Sequence, residues 1–558
     1  MRSSYSQLFR CLLVFSICIG ANATANIDKN ALKNTVEQAL KAFHTPGMSI
    51  TIVQNDAVVL SQGYGFSQID ENIPVTSRTY FRLASVSKAF TAAGVAILVD
   101  EGRLGWDDLV IDHLPDFRLQ DNYATQNFTV KDLLTHNSGL ISGAGDSMIW
   151  PEPSGFNRDE VVQNLRYFSA EYAFKSRYAY SNVMYITAGV LIEKLSKIPF
   201  ERFIDERIFS ALDIPCYSGA HPTDVANASA MGYAHSDARG IYPVPRNAIT
   251  GDALMSAAAG GMICNADGMS KWLNALLSIE SLPFSKKQLD LMWQGHTILN
   301  VPNIDKQWND THFKEYGLGW RLSNIGEYKV ISHTGTLSGY QAYVALIPEL
   351  SLGVSIFNNG SNYGARGAVM QTILKHYINA ADANTDENNT ESGQARDNSA
   401  ANNTTYIDSE RAQTAIDWTQ KYIDYQAIRE KRWLQNNAPP VANSDTIVNV
   451  SDIVGTYKDD WFGDLVIYVA PKGNNDEKLR IRSSRMKTLK GTLSPFQDAT
   501  YKIDWDNENA QGDAFIHFDL NVERTVTGAS LHPFTKRKKR NHAYRDMYFN
   551  KLDPESTE

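Results

Sequence analysis

Cysteine is scarce in this chain. Of 558 residues four are cysteine, and two of those lie within the first 20 positions. The remaining pair, Cys216 and Cys264, is too small a set for the disulfide framework of a stapled domain. Neither has a C-x-x-C neighbour or a histidine at zinc-ligand spacing, so we expect no metal site and no cofactor. We expect two separate buried thiols at these positions, with a disulfide between them as the alternative.

Long hydrophobic runs are also rare. The most apolar stretch, Cys11–Gly20, is shorter than the roughly 20 residues that a transmembrane helix needs. Arg2 and Arg10 precede it, and the small residues of a cleavage site follow at 21–25. This is the arrangement of a secretory signal peptide. We therefore expect residues 1–25 to be removed, and the mature protein to be secreted or periplasmic without a transmembrane anchor.

An excess of positive charge is missing as well. The chain has 53 Lys and Arg residues against 62 Asp and Glu, a net charge of -9. Phosphate binding needs a basic surface, so nucleic acid is not expected as a partner. One basic run, 536–540, fits a solvated edge or turn. We expect a small-molecule or peptide substrate, and the composition also allows an oligomer.

Composition divides the chain into regions. Residues 381–405 contain almost no large apolar side chains and cannot offset the entropy of ordering, which predicts a flexible linker over 381–407. A helical pattern follows at 408–437. From 438 to 552, short alternating runs are separated by turns rich in Gly, Asn and Asp, which is typical of a small antiparallel β-barrel or β-sandwich. The region 26–380 is long enough for one large domain with its own core.

The large domain begins and ends with strand patterns. Met48–Val53 and Ala57–Tyr64 flank the turn residues Asn55-Asp56, which predicts a hairpin. Tyr340–Ile347 and Leu352–Phe357 predict two further strands, and helical patterns fill the sequence between the two pairs. This order favours an α+β fold, in which helices pack around one mostly antiparallel sheet built from both ends of the domain.

A serine and a lysine stand one helical turn apart at the start of a helical pattern, in Ser85-Val86-Ser87-Lys88. Serine needs a base within hydrogen-bond distance to act as a nucleophile. Lysine can be that base if burial or nearby cations lower its pKa. The spacing alone is weak evidence, because Ser484-Arg485-Met486-Lys487 has it too, in a strand and turn pattern.

Two later segments supply the other residue types that such chemistry needs. Tyr180-Ser181-Asn182 precedes a predicted helix, where a phenol and an amide can face one cleft. His333-Thr334-Gly335 lies in a strand pattern, and a glycine there lets a substrate backbone approach the strand edge closely. His136 and Ser138 are expected to position a helix end and not to react.

With their surroundings these motifs resemble the serine β-lactamase-like family, which includes class C β-lactamases, penicillin-recognising D,D-peptidases, D-aminopeptidases and esterases. The resemblance implies a β-lactamase/transpeptidase-like α+β fold with an all-helical subdomain. The region from about 440 resembles the lipocalin-like β domain appended to some members. The similarity covers about residues 30–378, and it includes five further segments in the family's order: Pro74-Val75-Thr76, Phe81-Arg82-Leu83-Ala84, Thr129–Leu140, Ala259-Gly260-Gly261 and Asp267–Leu273.

The resemblance also implies catalytic roles. Ser85 would attack the substrate carbonyl and form an acyl-enzyme. Lys88 and Tyr180 would share the general-base work, pass the proton to the leaving group and later activate water. These are the three residues that we expect to be catalytic.

Five further positions are implied to bind the substrate. Asn182 would hold its amide, and His333 and Thr334 its carboxylate side. Gly335 would admit its backbone, and the N–H of Thr336 would complete an oxyanion hole with the N–H of the nucleophile. The bare sequence supports these residue types without giving their distances.

One residue departs from the pattern of dedicated class C β-lactamases, which carry Lys-Thr-Gly where this chain has His333 in first place. Histidine is mostly neutral above pH 7 and gives no fixed charge for a carboxylate. His-Thr-Gly resembles the peptidase and aminopeptidase members more closely. We therefore expect an exported serine hydrolase of the D,D-peptidase or D-aminopeptidase type that β-lactams can acylate. The alternatives are a carboxylesterase of the same family and a catalytically silent penicillin- or cell-wall-binding protein.

Overall fold

The computed structural model describes residues 26–219, 221–244, 254–391, 416–437, 448–470, 478–510, 512–533 and 544–553. The predicted signal peptide at 1–25, the basic run at 536–540 and most of the predicted linker lie outside these ranges. Among the described residues, no helix has both the length and the apolar character needed to cross a membrane.

The large domain is built on one antiparallel sheet. Its strands run in the order β3-β2-β1-β13-β12-β11-β10-β9-β8, so both ends of the domain meet at the sheet's centre, as predicted. The pairs β4–β7 and β5–β6 stand apart from it. The strand bounds are β1 (Gly47–Gln54), β2 (Ala57–Gln68), β3 (Ile73–Pro74), β4 (Phe81–Arg82), β5 (Tyr233–Ser236), β6 (Gly240–Pro243), β7 (Ile263–Cys264), β8 (Thr297–Ile298), β9 (Lys314–Tyr316), β10 (Arg321–Ile325), β11 (Tyr328–Leu337), β12 (Tyr340–Ile347) and β13 (Leu352–Asn358).

The predicted first hairpin is present. Its turn residues Asn55 and Asp56 both have positive φ, 49° and 61°, the conformation of a tight hairpin turn that asparagine and aspartate tolerate. β1 is buried along its whole length, whereas β2 alternates between buried and exposed residues. The hairpin therefore places β1 in the middle of the sheet and leaves β2 near its edge.

Helices cover both faces of this sheet. α1 and α13 pack on one face with an apolar cluster of their own, and α2 and α10 lie on the other, within the main core. The helices are α1 (Lys29–Ala42), α2 (Ser87–Asp100), α3 (Val110–His113), α4 (Asn122–Asn127), α5 (Val130–Leu134), α6 (Arg158–Asn164), α7 (Asn182–Ser196), α8 (Phe200–Ile204), α9 (Thr223–Asn227), α10 (Ala266–Ser278), α11 (Lys286–Met292), α12 (Asn303–Asn309), α13 (Gly364–Glu391), α14 (Trp418–Asn437) and α15 (Val450–Ile453). The helices from α3 to α9 form the helical subdomain; they are short except for α7, which has 15 residues. The α+β class is confirmed.

The two cysteines form a disulfide, which corrects the expectation of separate thiols. Cys216 pairs with Cys264 across 48 residues of sequence. A backbone bridge between Tyr217 and Ile263 aligns the two segments. Gly268 leaves the space that the sulfurs occupy, since a Cβ there would lie 2.9 Å and 3.0 Å from them. No spacing rule could have revealed a pairing that depends on this distant alignment.

The first part of the predicted linker is helical. α13 continues to Glu391, so the first part of the 381–407 segment is helical, because the helix that begins inside the core simply extends outwards. The connecting helix, predicted over 408–437, is α14, described from Trp418 onwards. It returns to the large domain, where Trp418 and Tyr422 pack on Trp308 with ring centroids 5.5 Å and 5.0 Å apart.

The C-terminal region is a closed antiparallel barrel, as predicted. Eight strands follow one another as neighbours, and the last pairs with the first. They are β14 (Gly455–Asp459), β15 (Gly463–Ala470), β16 (Lys478–Ser483), β17 (Lys490–Gln497), β18 (Thr500–Trp505), β19 (Ala514–Leu520), β20 (Val526–Pro533) and β21 (Phe549–Lys551). Alternate side chains of these strands fill the interior, which makes the barrel a packed body.

The barrel docks on the helical subdomain. The rings of Phe168 and Trp461 meet at 4.9 Å, and the guanidinium of Arg485 lies 3.9 Å from the centroid of Phe156. Gly155 is required at this contact, because a Cβ there would lie 2.1 Å from the Arg485 carbonyl oxygen. One apolar cluster runs through both domains, so the contact continues the core of each.

Candidate active site

The nucleophile segment is fixed by a strand on one side and a helix on the other. β4 pairs with β7, so the chain reaches Ala84 in a defined register. Ala84 then adopts a positive φ of 47°, which is strained for a residue with a side chain. This bend starts a single 3₁₀ turn, Ala84–Val86, which leads into α2. Ser85 therefore lies at the amino end of a helix, half-exposed to the cleft.

Lys88 is fully buried behind the serine. Its Nζ lies 3.3 Å from Ser85 Oγ, 2.8 Å from Asn182 Oδ1 and 2.5 Å from the carbonyl oxygen of Ala259. A neutral amine donates two hydrogen bonds and keeps one lone pair. The amide and carbonyl oxygens take the two N–H groups, so the lone pair is left for the serine hydroxyl.

The charge state of Lys88 follows from its surroundings. Burial lowers the pKa of this amine well below its usual 10.5, the Arg321 guanidinium lowers it further, and Asp146 opposes both. An ammonium so placed loses most of its hydration without gaining a directly bonded carboxylate. The neutral amine that a general base requires is thus the favoured form.

Tyr180 lies beside the pair. Lys88 Nζ is 4.7 Å from the centroid of its ring. Burial raises the pKa of the phenol above its usual 10.0, while Arg321 and the Ser85 hydroxyl oppose this. Tyr180 is therefore a neutral phenol, and among the described residues its buried Oη has no well-formed hydrogen bond.

His136 positions this tyrosine. The backbone N–H of Ser181 donates to His136 Nδ1 at 3.1 Å, and the N–H of Ala179 donates to its carbonyl oxygen at 2.7 Å. The imidazole packs against Tyr180 at 4.2 Å between ring centroids. Burial and the positive charge of Arg321 hold the pKa of His136 well below 6.5, so the ring is neutral. It anchors the Tyr180 segment, which agrees with the structural role expected from the sequence.

Asn182 joins the lysine to a half-buried acid that the sequence did not single out. Its Oδ1 accepts from Lys88, and its Nδ2 lies 3.1 Å and 3.2 Å from the two carboxylate oxygens of Asp146. Burial raises the pKa of Asp146 to about 7, against the Asn182 hydrogen bond and the charge of Lys88. Asn182 is both the first residue of α7 and a part of the cleft wall.

β11 forms the opposite wall. It pairs with β10 as far as Ser332, and it pairs with β12 from Ile331 to Leu337. Beyond Ser332 one edge of β11 therefore has no strand partner among the described residues, and this edge faces the nucleophile segment. Thr334 and Thr336, predicted to bind substrate, both line the cleft. The assignment of the Thr336 N–H to an oxyanion hole stays a prediction.

His333 does not reach the cleft, which corrects its assignment to the substrate. It is fully buried, with Nε2 2.9 Å from Tyr316 Oη and Nδ1 2.8 Å from the carbonyl oxygen of Thr334. Burial and the positive charge of Arg321 hold the pKa of His333 well below 6.5. The ring is neutral, donates from Nδ1 and accepts at Nε2, so both nitrogens are occupied within the protein.

Gly335 allows a close contact within the protein, and not the close approach of a substrate that was predicted. A Cβ at this position would lie 2.2 Å from the carbonyl oxygen of Leu83 and 2.9 Å from the Cβ of Ala84. The glycine therefore lets β11 pack on the nucleophile segment itself, not on a substrate. Buried Arg366 holds the strand there, since it donates to the carbonyl oxygens of Gly335 and Ala342 and, at 3.2 Å, to Thr336 Oγ1.

Arg321, at the start of β10, supplies the cation that His333 does not. It is half-buried, lines the cleft, and donates to Tyr178 Oη at 3.1 Å. The neighbouring phenols Tyr178, Tyr316 and Tyr180 raise the pKa of Arg321, against the effect of burial. The guanidinium therefore keeps its charge and faces the space above Ser85.

The cleft has a volume of about 590 Å³, in the range of small-molecule sites. Two of its wall residues, Asn509 and Ala510, come from the barrel. The remaining lining residues belong to the large domain: Ala84, Ser85, Asp146, Trp150, Tyr180, Asn182, Ala259, Gly260, Arg321, Thr334, Thr336, Leu337, Ser338, Gln341 and Ser361.

Some of these residues could have been found in the sequence and others could not. In a strand, alternate side chains point to opposite faces, so the period of two already separates Thr334 and Thr336 from His333 and Gly335. Arg321 and Asp146 are single charged residues without a surrounding motif. Their position in the cleft depends on strand pairing and on a loop, neither of which the local sequence specifies.

Comparison with family models divides the chain as the structure does. The model of the beta-lactamase family matches residues 32–376. A second model, described as a domain of unknown function, DUF3471, matches residues 440–547. The first match covers the whole cleft wall contributed by the large domain, and the second covers the barrel except for its last strand, β21.

Two curated proteins show the same similarity. The unguisins hydrolase ungD' of Aspergillus campestris (strain IBT 28561) is 30% identical over 370 residues, which are 63% of this chain and 66% of that protein. Protein flp of Staphylococcus aureus (strain MRSA252) is 25% identical over 338 residues, which are 60% of this chain and 63% of that protein. The chain thus spans a little under two thirds of the length of these relatives.

Two solved structures share the fold. The octameric penicillin-binding protein homologue from Pyrococcus abyssi aligns over 94% of this chain and all of its own, with a TM-score of 0.55 at 19% identity. D-amino acid amidase from Ochrobactrum anthropi SV3 aligns over 64% of this chain and 99% of its own, with a TM-score of 0.52 at 21% identity. The first of these alignments extends over both domains.

Proposed function

The chain belongs to the beta-lactamase family, and on that premise we propose that it is a serine hydrolase that cleaves peptide-like amide bonds through an acyl-enzyme. The observation that carries the proposal is the contact of Lys88 with Ser85. The amine is buried, its pKa is lowered, and its lone pair is free for the serine proton. A silent binding protein would have no need of this arrangement, which costs the energy of burying an amine.

In the first half of the reaction, Ser85 Oγ attacks the substrate carbonyl while Lys88 Nζ accepts the hydroxyl proton. The new bond joins the serine oxygen to the carbonyl carbon, and the negative charge on the carbonyl oxygen develops at the amino end of α2, where backbone N–H groups stabilise it. The C–N bond then breaks. Because Tyr180 is a neutral phenol, it donates its proton to the leaving amine and regains one from Lys88, which refines the expectation of a shared base.

In the second half, water enters the place of the leaving group. Lys88, neutral again, takes a proton from this water through Tyr180, and the resulting hydroxide attacks the ester. The bond between the acyl carbon and Ser85 Oγ breaks, and the proton returns to the serine. Lys88 keeps its position throughout, because Asn182 and the Ala259 carbonyl hold its two N–H groups.

We propose that the substrate lies extended along the open edge of β11, with its leaving-group carboxylate on Arg321. This cation stands beside the start of the open edge, since Arg321 pairs with Ser332. Thr334 and Thr336 follow along the edge and offer hydroxyl and backbone groups to the substrate. Short peptides and amides of the D,D-peptidase or D-aminopeptidase type fit this arrangement, and so does acylation by a β-lactam. The same nucleophile can act on esters, which is the second candidate function.

We propose further that the protein is exported. The sequence pattern at 1–25 is that of a signal peptide, and the Cys216–Cys264 disulfide is of a kind that forms and persists in oxidising compartments. These two observations are independent of each other. A fusion of residues 1–25 to a reporter that is active only after export tests the first.

The catalytic proposal is tested by covalent labelling. A small fluorophosphonate and a penicillin with a short side chain should each modify the wild-type protein at the Ser85 peptide, as identified by mass spectrometry, and should leave folded Ser85→Ala unmodified. Folded wild-type protein that reacts with neither reagent would contradict the assignment of the nucleophile.

A substrate panel then separates the two candidate functions. D-amino-acid peptides, their amides, β-lactams and short chromogenic esters are compared by kcat/KM. Turnover of amides supports the peptidase proposal, whereas turnover restricted to esters supports the esterase. A peptide offered with a free carboxylate and as its carboxamide tests Arg321. Arg321→Met should lower kcat/KM for the carboxylate by about 10- to 100-fold more than for the carboxamide, as expected for a lost charged hydrogen bond.

A further inference from the structure

One turn of the barrel forms part of the wall of the active-site cleft. This wall turn, residues 506–510, follows β18 and brings Asn509 and Ala510 to the cleft lining. Ala510 also packs against the apolar core. The catalytic chemistry described above uses no residue of the barrel, so the presence of the turn calls for a separate explanation.

The wall turn is held from within and from outside. Inside it, Asn507 Oδ1 accepts from the N–H of Asn509 at 2.9 Å, and the Asn507 carbonyl accepts from the N–H of Ala510 at 2.9 Å. On the outside, Glu508 forms an ion pair with Arg239 at 2.6 Å. Arg239 is itself stacked on Tyr242, 3.5 Å from the ring centroid. These contacts give the turn one defined position against the large domain.

The position of the wall turn along β11 decides which part of a substrate it meets. Arg321 stands at the Ser332 end of the open edge, and Thr334 and Thr336 follow. Ser338, just beyond the strand, contacts the wall turn through its hydroxyl, 3.4 Å from the Glu508 carbonyl oxygen. A substrate whose leaving group lies near Arg321 therefore extends its acyl group towards Asn509 and Ala510.

We propose that the wall turn closes the acyl side of the cleft and restricts the enzyme to substrates with a short acyl group, of about one amino-acid residue. This inference rests on the proposed hydrolase function and deepens it. The preferred substrates are amides and peptides in which the amino-terminal residue is the acyl donor. Polymers and long acyl chains are excluded because the barrel occupies the path that they would take. The barrel is thus a specificity element of the active site.

The test compares two sulfonyl fluorides, whose sulfonyl group takes the place of the acyl group. Attack by Ser85 Oγ forms a sulfonate ester and releases fluoride, so no catalytic turnover is needed. One reagent is phenylmethylsulfonyl fluoride, and the other is a benzenesulfonyl fluoride lengthened by an amide-linked chain of about 12 atoms. The ratio of their second-order rate constants for modification of Ser85, long over short, measures access to the acyl side.

The variant Asn507→Gly with Glu508→Ala removes both supports of the wall turn and changes no cleft-lining residue. We expect it to raise the long-over-short ratio at least tenfold relative to wild type. Ala510→Trp, which fills the space at the wall, should lower the ratio. Arg545→Ala is the matched control, since it removes another ion pair between the domains, with Glu171 at 3.2 Å, and should leave the ratio within twofold of wild type.

Two results would overturn the inference. Wild-type protein that reacts equally fast with both reagents has no closed acyl side. A double variant with native circular dichroism and an unchanged ratio shows that the wall turn does not limit access. The failure of the proposed function looks different, because Ser85 would then react with neither reagent, and the inference would fall with it.

Discussion

Two segments of this molecule share the spacing S-x-x-K and differ in everything that matters for reactivity. Ser85 and Lys88 lie at the start of a helix, and Lys88 is fully buried between an amide and a carbonyl oxygen. Ser484 lies after a strand, with its hydroxyl 3.2 Å from the Asp464 carbonyl, and Lys487 is exposed to solvent. Both serines are half-buried. The environment of the lysine, and not the spacing, therefore distinguishes a nucleophile from a turn.

The most severe test of this comparison replaces each serine by alanine. Ser85→Ala should lower kcat/KM for a small chromogenic ester at least about 1,000-fold, as expected for the loss of a covalent nucleophile. Ser484→Ala should change it less than twofold, because that hydroxyl only donates to a neighbouring carbonyl. Equal losses in the two variants would abolish the distinction.

Replacing the lysines tests the role of burial. Lys88→Met should lower kcat by about 100- to 10,000-fold, the usual contribution of a general base, and Lys88→Arg should not restore it because a guanidinium stays charged. Lys487→Met should have no effect on kcat. Stopped-flow acylation with a chromogenic ester separates this loss from weaker substrate binding, which would appear in KM.

Asp146 sharpens the comparison, because it is a half-buried acid close to the lysine of the first segment. Ionised Asp146 raises the pKa of Lys88, so Asp146→Asn should lower that pKa and move the acid limb of kcat/KM to lower pH, by about one unit. The new amide would still offer an oxygen to the side chain of Asn182. An acid limb that moves upwards, or stays in place, contradicts the assignment of Lys88 as the base.

The same variant has a predicted effect on stability. The pKa of Asp146 is raised to about 7 in the folded protein, above its value in an unfolded chain. Protonation therefore stabilises the fold at low pH, and this contribution is lost as the pH rises through about 7. Asp146→Asn should remove that decline, which urea denaturation at pH 5 and pH 8 can measure.

The smallest expected effect is at the second segment. Arg485 stacks on Phe156 and pairs with Glu160, so Arg485→Ala should reduce the free energy of unfolding by about 1 kcal/mol. Hydrolysis of a small ester should stay within twofold of wild type. A large loss of activity with unchanged stability would mean that this segment contributes to the chemistry after all.

The sequence allowed the framework of the site to be predicted, because local rules determine it. The turn at Asn55 and Asp56 and the alternation of the strands indicated the sheet, and the S-x-x-K and Y-x-N segments lie at helix starts. Arg321, Asp146 and the wall turn could not be predicted in this way. Each reaches the cleft through tertiary packing, and no local sequence motif indicates where in the fold a single charged residue will lie.

His333 and the cysteines were noticed in the sequence, but their roles were predicted wrongly. His333 stands in a recognisable triplet, yet the Tyr316 hydroxyl and the Thr334 carbonyl oxygen engage its two ring nitrogens. Cys216 and Cys264 are 48 residues apart, and the bridge between Tyr217 and Ile263 aligns them. In both cases residue type and spacing indicated that the residues matter, but did not give their roles in the structure.

The Cys216–Cys264 bond has a consequence for the life of the protein in the cell. A cross-link that closes a loop of 48 residues lowers the entropy of the unfolded chain, which corresponds to about 4 kcal/mol of stability in the chain-entropy estimate. A molecule kept in a reducing compartment would lack this bond, and its unfolded population would be about 1,000-fold larger. Proteases and chaperones act on that population, so the bond protects the folded enzyme from both.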